Sequence, residues 1–161
     1  MASSRTAVVT LPSDTQILVI REFAAPKHLV YKAWTTPELI RSWWSAKRGE
    51  VTVADVDLKP GGRWRYAMTT GKGFEVAFHG EYREVVPNER LVYTEVYEGA
   101  PDAPAVTTVT FAEQDGRTTV TILADHASKA ARDAVIATGM EDGLQDALDL
   151  LEEAAIALSS R

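Results

Sequence analysis

One stretch constrains this chain more than any other: residues 26–44, PKHLVYKAWTTPELIRSWW, which hold three of its four tryptophans. Pro26 and Pro37 each sit where a helix can begin, because proline has no N–H to leave unpaired there and its φ is already helical. Thr36 is placed to cap the second helix, and Glu38 brings a carboxylate into its positive first turn. Leu29, Val30, Ala33 and Trp34 share one face of the first helix, and Leu39, Ile40 and Trp43 one face of the second. Each tryptophan can bury roughly 150–250 Å². A large apolar receiver must therefore come from the rest of the chain, which reads as a run of strands and one long closing helix.

The strands follow from β-branched content and period-two alternation. Residues 7–11 can add a short edge strand before the turn at Pro12-Ser13-Asp14. Residues 17–23 form the first full strand, with Arg21-Glu22 blurring its alternation. After the two helices come 50–58, a proline-then-glycine turn at 59–62, and 63–68, which sets Trp64, Tyr66 and Met68 opposite Arg63 and Arg65. Residues 74–86 set Phe74, Val76, Phe78, Gly80 and Tyr82 opposite Glu75, His79, Glu81 and Arg83. In 91–97 the parity is ambiguous; placing Glu95 outward turns Val92, Thr94 and Val96 inward and leaves Tyr93 and Tyr97 on the outer face. Residues 105–111 and 118–124 are joined through Asp115-Gly116, the strongest hairpin signal in the chain. From Ser128 the period becomes helical, with Ile136, Met140, Leu144, Ala147, Leu148, Leu151, Ala155 and Leu158 on one stripe. Ser128 can cap a first segment, and Gly139 can loosen or kink its junction with the main helix.

Strands joined by short hairpins make an antiparallel sheet with helices segregated to one face. The expected fold is α+β: a curved sheet of six to seven strands around a long C-terminal helix, with two short helices after the first strand. Residues 1–15 are expected as an arm or edge strand and 16–161 as a single domain.

Charge and composition remove several functions. Lys and Arg number 17 against 23 Asp and Glu, a net charge of −6 without a basic run, so a nucleic-acid partner is not expected. There is no cysteine, which excludes disulfides, thiolate metal sites and a cysteine nucleophile together. No stretch approaches a membrane span or the apolar core of a signal peptide, so the expected location is cytoplasmic, with no membrane partner.

Groups able to carry chemistry are few. His28 lies beside an apolar helix face and is expected in solvent. His79, near Glu75 and Glu81 on the polar side of its strand, reads as an exposed charge ladder before an acid–base site. His126 follows Asp125 just ahead of the last helix and reads as part of a helix approach. No HxH or HExxH spacing joins them, so neither a metal nor another cofactor is expected. There is no GxSxG and no phosphate-cradling loop, so no catalytic residue is assigned. Glu84 is the one acid on the inward parity of 74–86; either it is buried with a raised pKa, or Arg83 or Arg90 and water reach it at the strand end.

Space is the remaining feature. Trp43, Trp64, Tyr66, Met68, Phe78, Thr94 and Phe111, facing Met140 and Leu144, form a wall of large adaptable groups with Gly80 bare in its middle. Gly139 and Gly143 either let the last helix approach the sheet or leave room beside it. Such a wall is either a filled core or the lining of an apolar ligand pocket.

The segment VYKAWTTPELIRSWW, with DLKPGGRWRYAM, FHGEYREVVPNERLVYTE and TGMEDGLQDALDLLEEAAIAL, resembles the START-like (SRPBCC) helix-grip superfamily over roughly residues 16–158. Within it the chain is similar to single-domain bacterial proteins related to the C-terminal domain of the heat-shock ATPase activator. The resemblance implies a cavity that takes a small hydrophobic or aromatic ligand, bound without catalysis. It also implies two alternatives: a co-chaperone-like interaction domain, and a cyclase- or hydrolase-type enzyme. Chaperone binding is the weaker, because the eukaryotic activator uses a separate N-terminal domain with no counterpart in these residues. A closed, empty core would favour the interaction domain, and an open cavity holding a buried carboxylate or histidine the enzyme. Tyr93 and Tyr97 on an outer face would also offer a homodimer contact.

Overall fold

The computed structural model describes residues 6–159. The first five residues of the expected N-terminal arm, and residues 160–161 of the expected domain, lie outside the described residues. In chain order the elements are β1 (Val8–Thr10), β2 (Gln16–Phe23), α1 (Lys27–Thr35), α2 (Pro37–Trp43), β3 (Gly49–Val56), β4 (Arg63–Thr70), β5 (Glu75–Val86), β6 (Arg90–Tyr97), β7 (Ala105–Gln114), β8 (Arg117–Asp125), α3 (Lys129–Ala137) and α4 (Met140–Ser159). One antiparallel sheet runs in the order β1-β2-β8-β7-β6-β5-β4-β3, and α1 and α2 pack against α4 over its inner face. This is the helix-grip arrangement, α+β, with eight strands where six to seven were expected. The added strand is β1, whose three residues pair with Leu18–Ile20 of β2.

Local chemistry accounts for the joints. Pro37 is the first residue of α2 and Thr36 its N-cap, but the cap is made by backbone alone, without a side-chain hydrogen bond. Ser128 does cap α3, accepting from the Ala131 N–H at 3.0 Å. The β7–β8 turn holds Asp115 at φ 54° and Gly116 at φ 77°, the two left-handed residues that match hairpin twist. Gly139, at φ 77°, ends α3 rather than kinking a single helix, so the long helix begins only at Met140.

The chain's three aromatic helix residues find their receiver. Trp34 and Trp43 lie 5.8 Å apart, and Trp34 meets the edge of Phe111 at 5.8 Å. Leu151 and Ala155 of α4 are fully buried at this end of the molecule. Arg21 is also on the core parity of β2, with Ile17, Val19 and Phe23, and is only 2% exposed. It donates to Asp149 at 2.6 Å and to Glu152 at 3.1 Å, and its guanidinium stacks over the Phe23 ring. The Arg21-Glu22 irregularity is therefore an ion pair that fastens β2 to α4.

Two parity assignments are corrected. The pairing of β5 with β6 slips by one residue between Tyr82 and Glu84. A bulge reverses the side-chain alternation beyond it, so Val85 packs on the core and Glu84 turns out to Arg90 at 3.1 Å. In β6 the inward set is Leu91, Tyr93, Glu95 and Tyr97. Glu95 is inside, Thr94 faces away, and the outer tyrosine pair expected as a dimer contact is not on the outer face. Phe74, expected on the inward parity, precedes β5 in a turn and is 67% exposed.

Candidate functional site

Between the inner face of the sheet and the first half of α4 lies a cavity of about 480 Å³, within the range of small-molecule sites. Seven of the ten residues expected as its lining do line it: Trp43, Trp64, Tyr66, Met68, Phe78, Met140 and Leu144. The remaining three do not. Phe111 belongs to the filled core, edge-on to Tyr31 at 5.5 Å and to Trp34. Thr94 presents its hydroxyl to the Glu81 N–H at 2.9 Å on the opposite face. Gly80 is bare for a different reason than room for a ligand: a Cβ there would collide with the Thr94 carbonyl oxygen and come within 2.7 Å of Trp64 Nε1. The close backbone approach requires glycine.

Gly143 is the glycine that leaves room. It lines the cavity from α4, and a Cβ built on it meets nothing within 4 Å. The wall opposite is continuous in aromatic contact. Trp44 meets the edges of Tyr66 at 5.7 Å and Phe78 at 5.9 Å, Trp64 packs on Tyr66 at 4.8 Å, and Phe78 lies on Tyr97 at 5.1 Å. Trp44 joins this wall because α2 ends at Trp43 and the chain then turns through Ala46 and Lys47, both left-handed at φ 52° and 63°.

Polar groups in the cavity are sparse and individually placed. Burial raises the Tyr66 and Tyr93 hydroxyls well above the ordinary tyrosine value and pushes Tyr82 up to about 12, so all three are neutral donors. Tyr82 and Tyr66 hydrogen-bond to each other, and Trp34 bonds to Tyr93. Glu95 is half-buried and borders the cavity; burial pushes its carboxyl up, opposed by a hydrogen bond from the Thr107 hydroxyl at 3.2 Å. His126 also borders the cavity, and burial lowers its pKa; its Nε2 has no hydrogen-bond partner among the described residues. Arg48, at the rim, is paired with Asp146 at 2.9 Å.

The other candidates resolve outside the cavity. His28 is exposed on α1. His79 lies on the outer side of its strand, but its partner is Glu98 rather than Glu75 or Glu81: its Nδ1 is 2.8 Å from that carboxylate, which Arg65 also grips twice at 2.9 Å. Those two partners hold the Glu98 carboxyl down at about 2. Among the described residues no three His, Cys, Asp or Glu side chains gather where a metal would sit, and no helix is long and apolar enough to cross a membrane.

Comparison with known proteins places this geometry. The family model described as Activator of Hsp90 ATPase homolog 1-like protein matches residues 24–155. A solved structure from Rhodobacter sphaeroides is 26% identical and superposes with a TM-score of 0.86, covering 96% of this chain and 99% of that one. One from Mycobacterium smegmatis is 27% identical, with a TM-score of 0.81 over 91% and 95% of the two chains. An AHSA1-like protein from Aeromonas hydrophila is 25% identical, with a TM-score of 0.69 over 89% and 95%. No curated protein matches the sequence.

Proposed function

We propose that this chain, which belongs to the Activator of Hsp90 ATPase homolog 1-like protein family, is a non-enzymatic binder of a small hydrophobic or aromatic ligand held between the sheet and α4. The observation that carries the reading is the cavity of about 480 Å³ itself, bounded by aromatic rings on the sheet and by a bare Gly143 on the helix. A side chain at that helix position would occupy space that the sequence leaves unfilled. Apolar walls with a few fixed polar groups suit a ligand whose affinity comes from burial and whose orientation comes from one or two hydrogen bonds.

The half-buried Glu95 and His126 favour an enzyme as the second reading, since both border the cavity. Acid–base catalysis needs the acting groups within hydrogen-bond reach of each other or of a reacting atom. The hydrogen bond Glu95 has goes to Thr107, and His126 Nε2 has no described partner. Among the described residues Glu95 and His126 are not hydrogen-bonded to one another, and binding is the simpler use of the site. A chaperone-docking role, which the family description suggests, draws no support from the cavity.

Native mass spectrometry of the purified protein, together with titration of an apolar fluorescent probe, tests the reading. A co-purified small molecule, or saturable probe binding with quenching of the tryptophans, is expected. Absence of both would remove the proposal.

A further inference from the structure

Resting on the cavity reading above, we infer that Glu95 is the cavity's recognition group and that the ligand it selects is a hydrophobic amine, its protonated nitrogen at the carboxylate and its apolar body on the aromatic wall. The placement of charge carries the inference. Three lining side chains other than the tyrosines can be charged, and two of them offer a ligand no free charge. Arg48 is engaged by Asp146 at 2.9 Å, and burial favours the neutral form of His126. Glu95 alone is left, partnered by a hydroxyl at 3.2 Å and by no described basic side chain.

A carboxylate taken from water without a cation is costly, and its ordinary remedy is to remain protonated or to acquire a partner. The Tyr66 and Tyr93 hydroxyls near it are neutral and supply no positive charge. An ammonium group would. The rings of Trp44, Trp64, Tyr66, Phe78 and Tyr97 line the same cavity, and aromatic faces attract a desolvated cation. The net charge of −6 draws cations toward the molecule and repels anions. A ligand carboxylate would set like charges side by side in a water-poor site, and a purely apolar ligand would bury Glu95 with its second oxygen unanswered.

Three probes sharing one ring system decide it: 1-naphthylmethylamine, 1-naphthalenemethanol and 1-naphthoate, each titrated by calorimetry at neutral pH. The amine is expected to bind about tenfold to a hundredfold tighter than the alcohol, the yield of a charged hydrogen bond in a buried site. Naphthoate should bind most weakly. In Glu95→Gln the amine should lose its tenfold to hundredfold preference over the alcohol. Equal binding of all three to the native chain would overturn the role of Glu95 and leave the cavity reading intact. Failure of all three to bind would remove both. Retention of the amine preference in Glu95→Gln overturns the assignment even if the preference itself is real. Should that variant not fold, the ranking of the three probes on the unaltered protein decides alone.

Discussion

Replacing Gly143 by leucine should make the protein more stable and less able to bind. Gly143 lies in α4, and nothing stands within 4 Å of where its Cβ would be. A glycine inside a helix forfeits about 0.8–1.0 kcal/mol of propensity relative to a good helix former. A fully buried leucine side chain contributes about 1.5–3 kcal/mol, offset by about 0.5–1 kcal/mol of lost rotamer freedom. The cavity of about 480 Å³ will not close completely around it, so roughly half of the burial counts. The sum is a gain of about 1 kcal/mol, which for a chain of this length corresponds to a rise in Tm of roughly 2–4 °C. The same leucine would occupy the space a ligand needs, and binding of an apolar probe should be lost. Thermal denaturation and probe titration on the one variant read both effects. A fall in Tm would mean that the helix and sheet are already in contact there and that the cavity is not free space. A rise in Tm with undiminished probe binding would place the ligand elsewhere.

Three other perturbations separate the parts of the structure. Arg21→Met leaves Glu152 buried and uncompensated, so it should lower stability by about 3–5 kcal/mol, while adding Glu152→Leu should recover most of the loss; equal losses in the single and double variants, by urea titration, would deny the pairing. Trp43→Ala should cost about 3–5 kcal/mol, and Trp43→Phe about 1–3 kcal/mol, because Trp43 Nε1 satisfies the Ala33 carbonyl at 2.9 Å where Pro37, four residues on, has no N–H to offer; a Phe variant as stable as the parent would sink the capping role. Glu95 should show reversed pH dependence. Its folded carboxyl is raised above the ordinary 4.5, so the folded state holds a proton that the unfolded chain has released, and stability falls as pH rises from about 4.5 toward the raised value. Glu95→Gln should therefore gain Tm on the parent across that interval, and a constant difference between the two at all pH values would count against it.

Most of the fold was legible because it rests on strong local signals. The prolines of α1 and α2, the Asp115-Gly116 turn and the three- and four-residue steps of α4 each state one conformation. The failures have one physical source, which is that strand parity is a binary choice that a single event reverses. One bulge after Tyr82 moved Glu84 from the inner face to Arg90 and brought Val85 in. In β6 the placement of the acid outside carried Thr94 in and Tyr93 and Tyr97 out, all of them wrongly. The signal for the opposite choice was present, since Leu91, Tyr93 and Tyr97 are three large apolar groups on one parity. It was outweighed by Glu95, an acid whose burial makes sense only beside a cavity. Gly80 and Gly143 likewise look identical in sequence; a backbone neighbour from β6 distinguishes them, and no local pattern reports it. Arg21 was visible only as a break in alternation, because its partners lie on a helix well over a hundred residues later.

The two halves of α4 divide stability from binding, and the sheet's curvature makes that division workable. At one end the helix is fastened: Leu151 and Ala155 are buried, and Glu152 accepts from Arg21 and from the Ala24 N–H at 2.9 Å. At the other it is held off, with Gly143 bare and Met140 and Leu144 partly buried against the cavity. A helix pressed on a flat sheet along its whole length would leave no such space, and one held off along its whole length would lose its core. Fastening one end lets the other stay open at little cost, because the Trp34, Trp43 and Phe111 cluster and the Arg21 pair already fix the helix's position. The consequence is a difference between residues of similar burial. Substitutions at Leu151, Glu152 and Ala155, which do not border the cavity, should change stability and leave ligand affinity alone, whereas substitutions around Gly143 and Glu95 should change affinity first.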